Sequence, residues 1–109
     1  MNLKRFDEAD KELRQVLQKN DAVPTAHLYL GIVLIGEKNL EAAERELLKA
    51  IASNSNEVVG AHRYLGGIYW AKRDYKHAAD ELEIYLRLAP KATDAERTQA
   101  AIKELRNKS

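Results

Sequence analysis

His27-Leu28-Tyr29-Leu30-Gly31-Ile32-Val33-Leu34 and His62-Arg63-Tyr64-Leu65-Gly66-Gly67-Ile68-Tyr69 stand 35 residues apart and share His, Leu, Gly and a closing Leu or Tyr in one register. After each comes a second shared block, Leu40-x-x-Ala43-x-x-x-Leu47-x-x-Ala50 and then Tyr75-x-x-Ala78-x-x-x-Leu82-x-x-Tyr85. The second block also occurs upstream, as Phe6-x-x-Ala9-x-x-x-Leu13-x-x-Val16, 34 residues before its next copy. A fixed period in this range marks stacked supersecondary units, none of which buries its apolar face alone.

Each unit reads as two antiparallel helices. Leu30 and Leu34, like Leu65 and Tyr69, recur at i, i+4 and share one face. In the second helix the aromatic or Leu, the Ala and the Leu fall at i, i+3 and i+7, again one stripe. Gly31 and Gly66 have no Cβ, and Ala43 and Ala78 carry only a methyl, so paired axes can approach toward the ~8 Å end of the usual range. A helical Gly costs about 0.5–1 kcal/mol relative to Ala, so its return at one position implies a packing reason. Pro24 suits a first helical turn, and Asn39 and Asp74 are good N-caps. Asn54-Ser55-Asn56 and Ala89-Pro90-Lys91 break the chain after the two later units. Thr93-x-x-Glu96 has capping-box spacing and opens a last helix with Ala95, Thr98, Ile102 and Leu105 inward and Arg97, Lys103, Glu104 and Arg106 outward. The patterns predict helices near 4–19, 24–36, 40–53, 59–72, 75–88 and 94–107.

Composition agrees. Ala, Glu, Lys, Leu and Arg supply 59 of the 109 residues, whereas Val, Ile and Thr supply 14, which favours an all-α chain. With 18 cations against 17 anions the net charge is +1, too balanced for a module that neutralises nucleic-acid phosphates. The absence of cysteine excludes disulfides, thiolate metal sites and cysteine nucleophiles. No apolar run reaches the roughly 20 residues of a membrane span, and the first residues lack the apolar stretch of a signal peptide. The expectation is a soluble chain, cytoplasmic by default.

The Leu-Gly-x-x-Tyr/Leu signature, the Ala-x-x-x-Leu block and Pro90 at the end of the third copy resemble the tetratricopeptide repeat family. The resemblance covers nearly all of the chain up to Pro90. It departs where the family's first-helix aromatic is His27 and His62, and where its closing Pro is Ser55. A helical-repeat family of similar period reads RNA one base at a time; the small-residue pattern fits it less well, and a charge of +1 gives it little support. The resemblance implies a right-handed solenoid of helical hairpins in one domain spanning 1–109. Its parts are a lone second helix (1–21), repeats at 24–57 and 59–92, and a capping helix (93–107).

What the resemblance implies about function is a protein-interaction scaffold, with first helices lining a concave groove for a peptide or partner helix. Carried over, the groove positions are Thr25, Leu28, Ile32 and Ile35 from one helix, then Gly60, Arg63, Gly67 and Trp70 from the next. Leu28, Ile32 and Ile35 also form a second apolar face on their own helix, at i, i+4 and i+7. That face either contacts adjacent repeats or receives a ligand. Trp70 would anchor such a ligand, and Gly67 would leave room for its backbone; Trp and Arg are enriched at binding hot spots. The specialised clamp for chaperone C-terminal carboxylates needs Lys and Asn where this chain has Leu28, Tyr29, Ile32, Gly60 and Tyr64. With Arg63 the only cation among the groove positions, the expected partner is an apolar segment.

Other chemistry finds little footing. His27 and His62 occupy equivalent positions on different helices, and two imidazoles do not complete a tetrahedral metal site. They read instead as polar-tipped substitutes for an aromatic in helix packing, and His77, beside Lys76, reads as solvated. The serines lie at element ends with no nucleophile-elbow context, and Gly31-x-x-x-x-Gly36-Glu37 lacks the Lys and hydroxyl of a phosphate loop. No cofactor and no catalytic residue is expected. The competing function is self-association. A chain opening on a second helix would leave Phe6, Leu13, Val16 and Leu17 packed on one side only, and exposed apolar surface marks interfaces. This reading makes the chain an oligomerisation segment of a larger multidomain protein, with helix swapping as one route to the pairing.

Overall fold

The structure, a computed structural model, describes residues 8–9, 11–16, 24–53 and 58–108. The described residues form six helices and no strand. We number them α1 (helical at 8–9 and 11–16), α2 (Pro24–Gly36), α3 (Leu40–Ala52), α4 (Gly60–Ala71), α5 (Tyr75–Leu88) and α6 (Ala95–Lys108). The chain falls into two compact units, Met1–Ala61 and His62–Ser109.

In the first unit α2 packs on α3. Leu30, Leu34, Ala43, Leu47 and Ala50 are all buried, as their spacing requires. Gly31 is the reason the helices come so close. A Cβ built there would lie 2.8 Å from both Cγ and Cδ2 of Leu47 and 3.4 Å from the Ala43 carbonyl oxygen. Pro24 is the first residue of α2, where a missing N–H removes no helical bond.

Two residues, Lys38 and Asn39, shape the turn into α3. Lys38 takes φ 64°, its N–H donates to the Ile35 carbonyl and that of Asn39 to the Leu34 carbonyl. This is a Schellman ending with a lysine where glycine is usual. Asn39 then caps α3, its side chain accepting from the Ala42 N–H at 3.4 Å. At the other end, Ser53 N–H and Oγ both donate to the Ala50 carbonyl, stopping the helix one residue short of the predicted end.

The second unit repeats the device. Gly66 sets a hypothetical Cβ 2.8 Å from Leu82 Cδ2, Arg73 has φ 63°, and Asp74 caps α5 through the His77 N–H. Against α5 lies α6. Ala78, Ala79, Leu82 and Leu105 form a buried cluster, onto which Tyr69, Trp70, Tyr75, Ala101 and Ile102 pack.

Two expectations for α6 need correction. Helix α6 starts at Ala95, and Asp94, not Thr93, precedes it. The Asp94 carbonyl accepts from the Thr98 N–H and from Thr98 Oγ1, so the threonine that matters to this end is the buried Thr98. Nor do Arg97 and Arg106 simply face water. Arg106 holds Asp80 at 2.8 Å and Glu83 at 2.9 Å on α5, and these carboxylates raise its pKa further. The position of Arg97 belongs to the site below. No described helix is long and apolar enough to cross a membrane.

Candidate functional site

Each unit has an open concavity among its described residues. In the first unit Ala9, Leu13 and Val16 of α1 face Tyr29, Ile32 and Val33 of α2 across a cleft of about 400 Å³. Among the described residues, Glu12 is the one charged side chain lining it. Val16 is 44% exposed and Tyr29 is 56% exposed, so apolar surface here meets water. The arrangement joins residues that the sequence reading had kept apart: Ile32 from the groove positions, and Leu13 and Val16 from the self-association set. Of the remaining groove positions on α2, Leu28 is buried, which withdraws it from a ligand, whereas Thr25 and Ile35 are half-buried and line no described cavity. Phe6 and Leu17 lie outside the described residues.

In the second unit Arg63, Gly67 and Trp70 of α4 meet Arg97, Thr98 and Ala101 of α6 around a cavity of about 270 Å³, with Leu82 below and Asp94 at one side. Three of the groove positions therefore share one wall. Gly67 has nothing within 4 Å of a hypothetical Cβ, so the wall is open there. Gly60, at the start of α4, is half-buried and does not line this cavity.

The electrostatics differ from a wall bearing one cation. Arg63 is held between the Tyr64 ring, 4.7 Å from its guanidinium carbon, and Asp94, 3.6 Å from its Nε. The other oxygen of Asp94 accepts from the Tyr85 hydroxyl at 2.8 Å. Burial and this donation to a carboxylate both push the Tyr85 phenol up from its ordinary value. Arg97 adds a second guanidinium. The cavity thus carries two cations and one anion over an apolar floor. Trp70 is no free-standing anchor: one side of it packs on the core, and Lys108 Nζ lies 5.9 Å from its ring centroid and 5.4 Å from that of Tyr75.

The histidines are part of the hairpins. His27 Nδ1 lies 2.9 Å from Glu46 Oε1, and His62 Nδ1 lies 2.8 Å from Glu81 Oε2. Burial pushes the Glu46 carboxyl up, but hydrogen bonds from His27 and Lys49 and the lysine charge outweigh it, and its pKa lies below the ordinary value. An ionised carboxylate only accepts, so the imidazole Nδ1 donates. His77, which is exposed, pairs with its own N-cap, Asp74, at 2.7 Å. Among the described residues no group of three or more His, Asp or Glu is placed to hold a metal ion.

The sequence reading missed these glutamates, although the signal was present. Glu46 and Glu81 recur at the repeat period, each 19 residues after its histidine.

The sequence model of the tetratricopeptide repeat matches residues 1–58 and again 40–93. The chain belongs to the tetratricopeptide repeat family. Its all-α helical hairpins, small residues at the helix crossings and repeated turns are the physical content of that membership. Tetratricopeptide repeats mediate protein–protein interaction, and the family is typically a non-enzymatic scaffold. No curated protein matches the chain.

Proposed function

We propose that this tetratricopeptide chain is a protein-interaction scaffold that receives an apolar peptide or partner helix on its first-helix surfaces. The observation that carries the reading is the α1/α2 cleft, whose walls are apolar and in which Val16 and Tyr29 stand in water. Soluble proteins rarely leave contiguous apolar surface uncovered without a use for it. The cavity beside Arg63 and Gly67 is a second contact region, suited to a segment with one anionic group next to an apolar side chain, because Asp94 offsets only one of the two arginines.

Capture of binding proteins on the immobilised chain tests the proposal. Tyr29→Asp with Val16→Asp is expected to lose the captured protein, and Arg63→Glu with Arg97→Glu to weaken it. Unchanged capture by both double variants refutes the assignment. Trp70→Ala is a poor probe because the ring supports the core.

Self-association is the second reading, favoured by the exposure of Val16, which lines the same cleft as the half-buried Leu13. Sedimentation of the chain decides it: a monomer at high micromolar concentration removes the dimer.

A further inference from the structure

Two arginines of α6 are used in different ways. Arg106 is held by Asp80 and Glu83 of α5 at 2.8 and 2.9 Å. Arg97 is exposed, lines the cavity beside Arg63, and pairs with no carboxylate among the described residues. Arg63 meets Asp94 at 3.6 Å, which is ion pairing beyond hydrogen-bond reach, so its N–H groups keep their capacity to donate.

The anions of this unit are already committed. Residues 62–109 contain seven Asp and Glu side chains. Asp74 pairs with His77, Glu81 with His62, Asp80 and Glu83 with Arg106, and Glu104 with Lys108. Asp94 is the sixth. The last, Glu96, adjoins Arg97 in sequence, and adjacent residues of a helix do not face each other. One positive charge of the cavity is thus left for an anion from outside this unit.

The cavity is also polarised along its length. Arg63 reaches Asp94 at the entry to α6, and Trp70 lies beside Lys108 at its end, so α4 and α6 run in the same direction. Both walls pass from an arginine to a small residue, Arg63 to Gly67 and Arg97 to Ala101, with Trp70 and Leu82 extending the apolar part. Four helical residues rise about 6 Å, so cationic and apolar parts stand about one helical turn apart. The volume of about 270 Å³ falls below the ~300–1,000 Å³ of small-molecule pockets, which suits side chains of a segment crossing the open wall at Gly67.

We propose that this cavity takes an acidic–apolar segment of a partner protein, and that Asp94 bars the phosphorylated equivalent. One Asp or Glu carboxylate lies between Arg63 and Arg97, with a large apolar side chain one helical turn away. The inference rests on the interaction-scaffold reading of this cavity and adds the charge class of its ligand and the residue that sets it. A carboxylate makes short, charge-assisted bonds to guanidinium groups and leaves the cavity neutral. A phosphoserine brings a charge of about −1.5 to −2 and leaves an excess of negative charge beside Asp94. Asp94 is not placed to turn away. Its side chain accepts from the buried Tyr85 hydroxyl at 2.8 Å, and its carbonyl accepts from the Thr98 N–H and Oγ1. Burial and the carboxylate raise the Tyr85 pKa, so the hydroxyl stays protonated and donating at neutral pH.

The probes are acetylated, amidated alanine–glutamine helices of about 16 residues, long enough to hold helical structure. Each carries one Leu and, four residues before it, Glu, Gln or phosphoserine. Amide shifts of the isotope-labelled chain, followed on titration, read both affinity and location. The Glu peptide is expected to move Gly67, Thr98 and Ala101, with the Gln peptide about threefold to tenfold weaker and the phosphoserine peptide weaker than the Glu peptide. Arg97→Gln should bring the Glu peptide down to the Gln level without changing the melting temperature, since Arg97 has no carboxylate partner to lose. Asp94→Asn keeps the shape and the acceptor for Tyr85. It should favour the phosphoserine peptide about threefold to tenfold more than the Glu peptide, which a merely structural role for Asp94 does not predict.

A phosphoserine peptide that binds the unaltered chain more tightly than the Glu peptide overturns the proposal. So do equal effects of Asp94→Asn on both peptides, equal binding of the Glu and Gln peptides, and shifts confined to residues 24–53. No binding up to about 1 mM, the result expected if a segment of the chain itself fills the cavity, overturns it too. The scaffold reading is separable from each of these, because capture of a protein that is lost with Arg63→Glu and Arg97→Glu sustains it even then.

Discussion

Adjacent glycines in α4 turn one substitution into a test of the packing. At Gly66 a Cβ would lie 2.8 Å from Leu82 Cδ2, 2.9 Å from its Cγ and 3.3 Å from the Ala78 carbonyl oxygen. Carbon pairs are at ease near 3.5–4.0 Å, and Leu82, with 6% of its surface exposed, has little space to retreat. Overpacking of this kind costs about 1–3 kcal/mol, against a gain of about 0.5–1 kcal/mol from replacing a helical glycine by alanine. Gly66→Ala should therefore destabilise the protein by about 1–2 kcal/mol. At Gly67 nothing lies within 4 Å, so only the gain remains and Gly67→Ala should stabilise by about 0.5–1 kcal/mol. The two neighbours differ by about 2 kcal/mol with opposite signs, which in a domain of this size separates their melting temperatures by roughly 10 °C. Urea and thermal unfolding followed by far-UV circular dichroism measure both. Adding Leu82→Ala to Gly66→Ala makes room for the methyl, so the pair should cost about 1 kcal/mol less than the sum of the singles. If Gly66→Ala stabilises as Gly67→Ala does, close approach is not what the glycine provides and the packing account is wrong.

Other outcomes follow from the turns and the polar contacts. Lys38→Gly and Arg73→Gly relieve a left-handed backbone and should each stabilise by about 0.5–1 kcal/mol in urea unfolding, because glycine adopts that conformation without a Cβ clash. Asn39→Ala removes the α3 cap and should cost about 1 kcal/mol in the same assay. Glu46, held below its ordinary value of 4.5, contributes stability that is complete above that value and lost as pH falls through the lowered one. Glu46→Gln should thus flatten the acid limb of a stability–pH profile, and an unchanged limb would remove the His27–Glu46 pair from the account. Tyr85→Phe leaves Asp94 without its hydroxyl donor and should cost about 1 kcal/mol; it should also alter how Arg63 meets an anionic ligand, measurable as a change in affinity.

Local spacing determined most of the helical framework. The Leu30/Leu34 and Ala43/Leu47 stripes placed α2 and α3 because a helix puts i, i+4 residues on one face whatever surrounds it. Asn39 and Asp74 were legible as caps for the same reason: their partners lie three residues away along the chain. Gly31 and Gly66 were legible through recurrence, since an unfavourable residue kept at one register must serve the neighbouring helix.

The sites were only half legible. Leu28 shares its helix face with Ile32, yet one is buried and the other lines the cleft; a helical wheel does not say which neighbour covers which end. Arg97 looked outward on the wheel of α6 and lines a cavity with Arg63, because Asp94, fixed by Tyr85 and Thr98, sets how α6 enters. The repeat, the helices, the caps of α3 and α5 and the small residues at the helix crossings were determined by the sequence alone, through contacts a few residues apart. Pairs 19 or more residues apart, His27 with Glu46 and Arg106 with Asp80, were decided by tertiary structure. Their distances depend on how far one helix is rotated and shifted against another, and that follows from packing all the side chains between them at once.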